Sequence, residues 1–394
     1  MVERVGSAHD DTNSGPTMRS GRHAPATRVV HAGLPEPTQG APMLPGPTFA
    51  GPYHLRGEPD STPYGYARYA NPTWSALESA LGELEGGPAL TFASGMAAAS
   101  AVLLPSLSRG DVLVLPEECY GGIKALVRDR LEPEGVVVRR AGAGTAGLIE
   151  AAPGARAVWV ETPTNPELDV VDIAAVAVAA RDAGAELIVD GTLATPLLQR
   201  ALALGADVVV CSGSKHLSGH SDVILGYVAV REAERLDPVR AWRSSVGAVP
   251  GPFEAWLTHR SLATLDVRLE RQCANALALA ELLATRDDVT DVRYPGLPSH
   301  PEHGLATVQM AGRFGGVLGF DVGTASRAQA FLEALTLVAE ATSFGGVHSM
   351  AERRARWGIE DVAEGFIRFS AGVEDAGDLR ADVAAALDAT RPVG

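Results

Sequence analysis

Six short apolar segments recur between residues 111 and 230, and helix-like segments lie between several of them. The candidate strands are residues 111–115, 135–139, 157–160, 187–190, 208–211 and 223–230. Continuous apolar strands that alternate with helices indicate a parallel sheet, because its crossover helices bury both faces. Beyond Pro250 a long helical pattern at 253–286 precedes strand-like runs at 289–294 and 316–322 and further helices. The pattern predicts an α/β protein with a mostly parallel sheet in a large domain and a smaller α+β C-terminal domain.

The N-terminal part of the chain differs in composition from this alternating pattern. Residues 1–25 are polar and are interpreted as a disordered leader. Residues 26–63 are rich in proline and glycine and are interpreted as an N-terminal arm. A helix is expected from Asn71 and Pro72, a good N-cap followed by a good first helical residue. The expected large domain spans 64–250, and the expected small domain spans 251–394.

Charge and hydropathy exclude several classes of function. A net charge of −15 argues against sequence-independent nucleic-acid binding, which needs a basic surface. No apolar run approaches the ~20 residues needed to span a bilayer, and the first 25 residues lack the apolar core of a signal peptide. The cysteines, Cys119, Cys211 and Cys273, are far apart and are expected to be buried apolar residues in a reducing compartment. A cytoplasmic protein without nucleic-acid or membrane partners is expected.

A lysine and a carboxylate follow two of the predicted strands. Asp190 ends the run at 187–190, and Lys215 stands in a Ser/Gly loop after the run at 208–211. A lysine amine can form a Schiff base with an aldehyde cofactor. A carboxylate can keep a pyridine nitrogen protonated, which makes the ring an electron sink. This pair predicts an enzyme that uses pyridoxal 5′-phosphate (PLP).

Several motifs could bind the cofactor's phosphate. Ser94, Gly95 and Met96 begin a helix after an apolar run, and exposed N–H groups with the helix dipole form an anion site there. Ser212 and Ser214 carry hydroxyls that could also reach a phosphate. Helix caps and turn serines are the structural alternatives for these residues.

Other side chains could contact the cofactor ring, its phosphate or the substrate. Tyr120 lies just past a strand end, where an aromatic ring could stack on a pyridine. Tyr66 and Arg68 offer a phenol and a guanidinium for a phosphate. Asn165 follows the strand at 157–160, and Arg368 interrupts an apolar alternation, where a buried guanidinium needs an anionic partner. The structural alternatives are a sheet-edge residue for Tyr120, surface residues for Tyr66 and Arg68, a turn residue for Asn165 and a structural ion pair for Arg368.

These motifs, in this order, resemble the Cys/Met-metabolism family of PLP enzymes, the transsulfuration group. The resemblance extends from about Thr27 to the C-terminus. The motifs that carry it begin at Tyr66, Asn71, Ser94, Glu161, Asp190, Ser212, Gly219, Ser343 and Arg368. It implies the type I, aspartate aminotransferase-like fold of PLP-dependent transferases.

The resemblance also implies a role for each matching residue. Lys215 would be the cofactor-bound lysine and proton shuttle, Asp190 the partner of the pyridine nitrogen, and Tyr120 the stacking ring that assists proton transfer. The implied phosphate ligands are Gly95, Met96, Ser212 and Ser214. Tyr66 and Arg68 would reach the cofactor of a neighbouring subunit in a homotetramer built as a dimer of dimers. Asn165, Ser343 and Arg368 would bind the α-carboxylate of a small amino-acid substrate.

The implied activity is a carbon–sulfur lyase most like cystathionine γ-lyase, which cleaves L-cystathionine to L-cysteine, 2-oxobutyrate and ammonia. Cystathionine γ-synthase and methionine γ-lyase are alternatives with the same chemistry. A PLP-binding protein without catalysis and a dinucleotide-dependent oxidoreductase are alternatives from other classes. The sequence departs from the family's pattern at His348 and in the segment after it.

Two further clusters are assigned no chemistry. Arg353, Arg354 and Arg356 are interpreted as a solvated helix face, with a distal substrate carboxylate as the alternative. His300 and His303 stand close together, but no third converging ligand is expected, so no metal site is predicted.

Overall fold

The computed structural model describes residues 23–58, 61–142 and 144–391. The predicted leader therefore lies almost wholly outside the described residues. The strands are β1 Ala89–Phe92, β2 Val112–Pro116, β3 Val137–Ala141, β4 Ala157–Glu161, β5 Glu186–Asp190, β6 Val208–Ser212, β7 Gly226–Val230, β8 Thr290–Arg293, β9 Val317–Asp321, β10 Ala339–Glu340, β11 Met350–Arg353 and β12 Phe366–Ser370.

The α-helices alternate with these strands through most of the chain. They are α1 Pro25–His31, α2 Pro72–Glu85, α3 Gly95–Ser106, α4 Gly121–Leu126, α5 Gly144–Ala151, α6 Ile173–Asp182, α7 Thr195–Leu198, α8 Leu236–Val246, α9 Pro252–Leu262, α10 Leu265–Ala284, α11 His303–Gln309, α12 Ala325–Ala334 and α13 Ala376–Ala389. A π-helical turn spans Val127–Leu131, and 3₁₀ turns span Ala233–Arg235 and Arg354–Trp357.

Seven strands form the larger sheet, in the order β1-β7-β6-β5-β4-β2-β3. The five strands β2 to β6 are mutually parallel. At one edge of the sheet β7 pairs with β6 and β1 pairs with β7, both in antiparallel fashion. The run predicted at 223–230 is therefore a strand, but it runs against its neighbour. Alternate residues of β4 enter opposite cores, Val158 and Val160 on one face and Trp159 on the other. Burial of both faces explains the continuous apolar runs.

A smaller sheet of five strands, in the order β10-β11-β12-β9-β8, follows in the C-terminal part. Its pairs are antiparallel except for β10 with β11. Helices α10, α12 and α13 pack on it around a core that includes Phe320, Phe331 and Leu379. The predicted combination of a mostly parallel sheet with a smaller α+β part is confirmed. The predicted domain limits stay predictions.

The structure differs from the sequence pattern at two places and agrees with it at the start of α2. The helical pattern at 253–286 is two helices, α9 and α10, which are separated at Ala263 and Thr264. The strand β1 was not among the predicted strands, although all four of its residues are buried. The predicted start of α2 is observed, because the Asn71 side chain accepts a hydrogen bond from Thr73 N at 2.9 Å.

No helix in the described part of the chain is long and apolar enough to cross a membrane. The three cysteines are buried and free, as the sequence predicts.

Candidate active site

A cleft of about 490 Å³ lies between the carboxyl ends of the parallel strands and the edge of the smaller sheet. Strands β4, β5 and β6 end at this cleft, so their last residues converge there. Ten of the residues predicted from sequence line it together: Gly95, Met96, Tyr120, Asn165, Asp190, Ser212, Ser214, Lys215, Ser343 and Arg368. The convergence follows from topology, because parallel strands direct all their carboxyl ends to one edge.

Lys215 occupies a turn directly after β6. Its Nζ donates a hydrogen bond to Ser343 Oγ at 2.7 Å and lies 5.2 Å from the centre of the Phe344 ring. Burial, and then the nearby charge of Arg368, lower the pKa of the Lys215 ammonium. A lowered pKa makes the neutral amine more accessible near neutral pH, which suits a nucleophile and a general base.

Asp190 ends β5, and its partly buried side chain lines the cleft. Thr192 donates two hydrogen bonds to Oδ1, from its backbone N at 3.0 Å and from its hydroxyl at 2.5 Å. The same hydroxyl accepts a hydrogen bond from Ser212 N at 2.9 Å, which ties the ends of β5 and β6 together. Burial raises the pKa of Asp190, and the bonds from Thr192 oppose that rise. Among the described residues no hydrogen bond reaches Oδ2, so this oxygen can accept one from a protonated ring nitrogen.

Glu161 is a buried carboxyl group of the cleft to which the sequence analysis assigned no role. It ends β4 in register with Asp190 on β5. Its Oε2 accepts a hydrogen bond from Tyr120 N at 2.7 Å, which fixes the start of the loop that carries the Tyr120 ring. Burial, and then the charge of Asp190, raise the pKa of Glu161. A charged residue at the end of an apolar run, the same signal that marked Asp190, could have revealed it.

The N-terminus of α3, for which the sequence predicts an anion site, lines the cleft. Ser94 caps the helix by accepting a hydrogen bond from Ala97 N at 3.1 Å, and the N–H groups of Gly95 and Met96 belong to its first turn. A Cβ on Gly95 would lie 2.8 Å from Cβ of Ser212, so glycine is required for this approach. Such a helix start attracts phosphate through its free N–H groups and the helix dipole.

Ser214 lines the same region, but its hydroxyl is already engaged. It donates to Leu225 O at 3.1 Å and accepts from Leu225 N at 2.9 Å. One lone pair remains for a further donor, whereas the only proton of the hydroxyl is used. Its predicted role as a phosphate ligand stays a prediction.

Tyr120 stands at the rim, immediately before α4, and about half of it is exposed. A Cβ on Gly122 would lie 2.5 Å from the Tyr120 ring and 2.8 Å from Met96 Sδ. Glycine at 122 therefore allows the ring to lie close over the start of α4. The exposed face of the ring is free to stack on a planar ligand in the cleft.

Arg368 lies on β12 and is buried at the opposite end of the cleft. Its Nη1 donates to Asn165 Oδ1 at 2.7 Å, and its Nη2 donates to Ser343 O at 3.0 Å and to Glu352 Oε1. Burial, and then the charge of Arg354, lower the pKa of Arg368 to about 10, so it stays a cation at neutral pH. The three residues predicted to bind a carboxylate are thus directly connected.

Tyr66 and Arg68 do not line the cleft of their own chain. Both belong to an irregular segment before α2, and the Tyr66 ring is about half exposed. Arg68 donates to Ser244 O at 3.0 Å and to the Tyr69 hydroxyl at 3.2 Å. Their predicted role concerns a neighbouring subunit and stays a prediction.

The interpretation of Arg353, Arg354 and Arg356 as a solvated helix face is wrong. Arg353 ends β11 and the other two lie in a 3₁₀ turn. Arg354 is buried beside the cleft and ion-paired to Glu352 at 2.6 Å and to Glu360. The interpretation from sequence failed because Glu352 and Glu360, at most six residues away, neutralise Arg354. Without them its guanidinium would need to be solvated.

His300 and His303 share no group of three candidate metal ligands among the described residues, but His300 lies close to two carboxylates. One oxygen each from Asp169 and Glu302 and one nitrogen of His300 lie within 4.8 Å of one another. However, Nδ1 of His300 accepts a hydrogen bond from Glu302 N at 3.3 Å, so this nitrogen is already used. The group carries no further conclusion.

The residues of the cleft fit PLP. One cleft is lined by a helix N-terminus that a Cβ at Gly95 would obstruct, by a carboxylate with an open oxygen and by a partly buried lysine. They correspond to the phosphate, the ring nitrogen and the aldehyde of the cofactor.

Comparison with known proteins agrees with this fit. The sequence profile described as Cys/Met metabolism PLP-dependent enzyme matches residues 26–388. A protein of Streptomyces coelicolor, provisionally named a cystathionine gamma-lyase, is 52% identical over 386 residues, which cover 97% of this chain and 98% of that protein. A cystathionine gamma-synthase of Mycobacterium tuberculosis is 41% identical over 389 residues, with coverage of 94% and 98%. The solved structure of an apo methionine gamma lyase from Micromonospora echinospora has a TM-score of 0.86 and 40% identity, with coverage of 92% and 98%.

Proposed function

The chain belongs to the Cys/Met metabolism family of PLP-dependent enzymes, and we propose that it is a cystathionine γ-lyase within that family. As a member it is an enzyme of transsulfuration chemistry whose cofactor is pyridoxal phosphate. The proposed reaction converts L-cystathionine and water to L-cysteine, 2-oxobutyrate and ammonia. The Streptomyces coelicolor relative supports a lyase, because its sequence is more similar to this chain than that of the synthase relative.

One observation carries the proposal for the substrate. Ser343 joins the reactive lysine to the carboxylate-binding arginine, because its hydroxyl contacts Lys215 Nζ at 2.7 Å and its carbonyl accepts from Arg368 at 3.0 Å. An α-amino acid has its carboxylate and its α-hydrogen on neighbouring atoms. A carboxylate bound by Arg368 and Asn165 would therefore bring the α-carbon to Lys215.

Each part of the cofactor has its own set of residues in the cleft. Gly95, Met96 and Ser212 would hold the phosphate, and Ser214 would join them once its hydroxyl turns its proton from Leu225 O to the phosphate. Asp190 would hold the ring nitrogen, and Tyr120 the face of the ring. When bound, PLP supplies an electron sink that stabilises the negative charge left on a substrate carbon when its proton departs.

Two side chains would move protons. Lys215 Nζ would remove the proton from the α-carbon and carry protons between substrate carbons, for which its lowered pKa is suited. The Tyr120 hydroxyl would donate a proton to the departing sulfur. The apolar side chains of Ile224, Trp357 and Ile359, which are exposed and also line the cleft, would contact the apolar part of the substrate.

The proposed assembly is a homotetramer, a dimer of dimers, in which Tyr66 and Arg68 reach the phosphate in a neighbouring subunit. The exposure of the Tyr66 ring, together with the exposed arm residues Met43 and Phe49, supports a subunit contact on this side of the chain. A cytoplasmic location is part of the same proposal.

Incubation of the PLP-loaded protein with L-cystathionine, followed by identification of the products, tests the activity. Cysteine with 2-oxobutyrate is the expected result. Homocysteine with pyruvate would mean β-elimination and would contradict the proposal. If L-cystathionine is not cleaved, formation of cystathionine from an O-acyl-homoserine and cysteine would identify a γ-synthase, and methanethiol from L-methionine a methionine γ-lyase.

Lys215→Ala is the matched control for this assay. It should abolish turnover, because the proposed base and shuttle is lost. Full activity of this variant would refute the assignment of Lys215.

A further inference from the structure

Glu352 has no part in the proposed function, although its carboxylate is fully buried next to the cleft. It lies on β11 and accepts hydrogen bonds from five side chains. These donors are Thr342 Oγ1 at 3.3 Å, Arg354 Nη1 at 2.6 Å, Arg356 Nη2 at 3.3 Å, Trp357 Nε1 at 3.0 Å, and Arg368 Nη2. A carboxylate that satisfies so many donors organises the segments that carry them.

We propose that Glu352 is a positioning residue that orients Arg368 for the α-carboxylate of the substrate and fixes the adjoining wall of the cleft. The two residues are register partners on the antiparallel strands β11 and β12. Directly opposed residues project from the same face of a sheet, so the ion pair is built into the strand pairing.

The hydrogen bonds of Arg368 show how the orientation is set. A guanidinium has five N–H donors. Nη2 uses both of its protons, on Glu352 and Ser343 O, and Nη1 uses one on Asn165. The remaining proton of Nη1 is therefore presented beside Asn165, the other predicted carboxylate ligand. Loss of the bond to Glu352 would free the guanidinium to rotate away from this direction.

Charge supports the same role. Arg368 is almost wholly buried, and a buried cation without a partner is strongly unfavourable. Burial alone would raise the pKa of Glu352, but Arg368 first, and then Trp357 and Arg354, lower it below its ordinary value. Glu352 is therefore an anion at neutral pH and compensates the charge of Arg368 before any substrate arrives.

Glu352 also holds the wall formed by the 3₁₀ turn Arg354–Trp357. Arg354, the first residue of the turn, bridges Glu352 and Glu360. Trp357 donates its indole N–H to Glu352 and its side chain lines the cleft. One buried carboxylate thus connects Arg368 to the adjoining wall of the cleft.

Titration of the PLP-loaded protein with L-alanine and with ethylamine, followed by visible absorbance, separates this role from a general structural one. Ethylamine is L-alanine without its carboxylate, and both are measured on the same preparation. Glu352→Gln should weaken L-alanine binding by roughly 10- to 100-fold, the range for residues that orient a ligand-binding group. Ethylamine binding should change far less, because it does not use Arg368.

Three further variants make the test specific. Glu352→Asp keeps the charge and should recover part of the L-alanine affinity. Glu364→Gln is the matched control, because Glu364 is an exposed carboxylate that pairs with Arg353 at 3.1 Å outside the cleft. In an Arg368→Lys background, Glu352→Gln should add little to the loss of L-alanine affinity, because the interaction it supports is already gone.

Equal weakening of both ligands by Glu352→Gln, or a full additional loss in the Arg368→Lys background, would overturn the proposal. Unchanged L-alanine binding would do the same. The role rests on the proposed use of Arg368 for the substrate carboxylate. Because the titration needs no turnover, failure of the lyase assay and failure of this inference are separate results.

Discussion

Glu85 provides a test of the buried electrostatics at a point remote from the cleft. It is the last residue of α2, and its Oε1 accepts a hydrogen bond from the Tyr227 hydroxyl at 2.5 Å. Its Oε2 is buried and has no hydrogen-bond partner among the described residues. Burial raises the pKa of Glu85 from its ordinary 4.5 to about 7, although the Tyr227 bond and the charge of Arg200 oppose that rise.

A raised carboxyl pKa makes stability depend on pH. Between pH 4.5 and 7 the folded protein keeps the proton on Glu85 while the unfolded chain releases it. The folded state therefore binds more protons, and the free energy of unfolding falls as pH rises through this interval. At about 1.4 kcal/mol per pH unit, the loss is roughly 3 kcal/mol above pH 7, and most of it falls between pH 5 and pH 8.

Glu85→Gln removes this titration while keeping the shape of the side chain. The variant should gain roughly 2 to 3 kcal/mol relative to the parent on going from pH 5 to pH 8. With about 2.1 cal/mol/K of unfolding entropy per residue, this is a change of roughly 3 °C in the difference between the two melting temperatures. The new amide N–H has a constant cost that lowers the melting temperature of the variant equally at both pH values. This cost therefore cancels in the comparison.

Thermal unfolding of the two proteins, followed by circular dichroism at both pH values, measures this difference. Glu281→Gln, on the exposed face of α10, is the matched control and should behave as the parent does at both pH values. A melting difference between parent and Glu85→Gln that is the same at pH 5 and pH 8 would refute the reasoning.

Two further predictions concern the cleft and its completion by a neighbouring subunit. Glu161→Gln should keep most of the activity, because Gln matches the protonated carboxyl group that the raised pKa favours. Glu161→Ala should lose much more, because it removes the acceptor of the hydrogen bond from Tyr120 N. Equal turnover rates for the two variants would contradict this. The variants Arg68→Ala and Lys215→Ala should each have reduced or no activity alone. Activity should return when the two variants are refolded together, because some mixed sites would then contain both intact residues. An activity that never exceeds the sum of the separate variants would exclude shared sites.

The sequence alone determined the fold class and marked the lysine and the carboxylate on which the proposed chemistry rests. A continuous run of apolar residues is a local property of the sequence. The runs that became β4, β5 and β6 were therefore visible without the structure. Asp190 and Lys215 were marked by polar chemistry at or directly after the ends of such segments. The parallel arrangement then requires that the residues at the carboxyl ends of these strands meet at one edge, without knowledge of any side-chain contact.

Tertiary structure decided which partner each buried charge has. Glu85 meets Tyr227, 142 positions away, and Arg368 meets Asn165, 203 positions away. Arg354 was interpreted as solvent-exposed from the sequence, yet it is buried, because the buried Glu352 neutralises both Arg354 and Arg368. The free energy of burying a charge depends on the groups around it in space. Hydrophobic periodicity reports which backbone segments are buried, but only the folded chain specifies which opposite charges compensate one another.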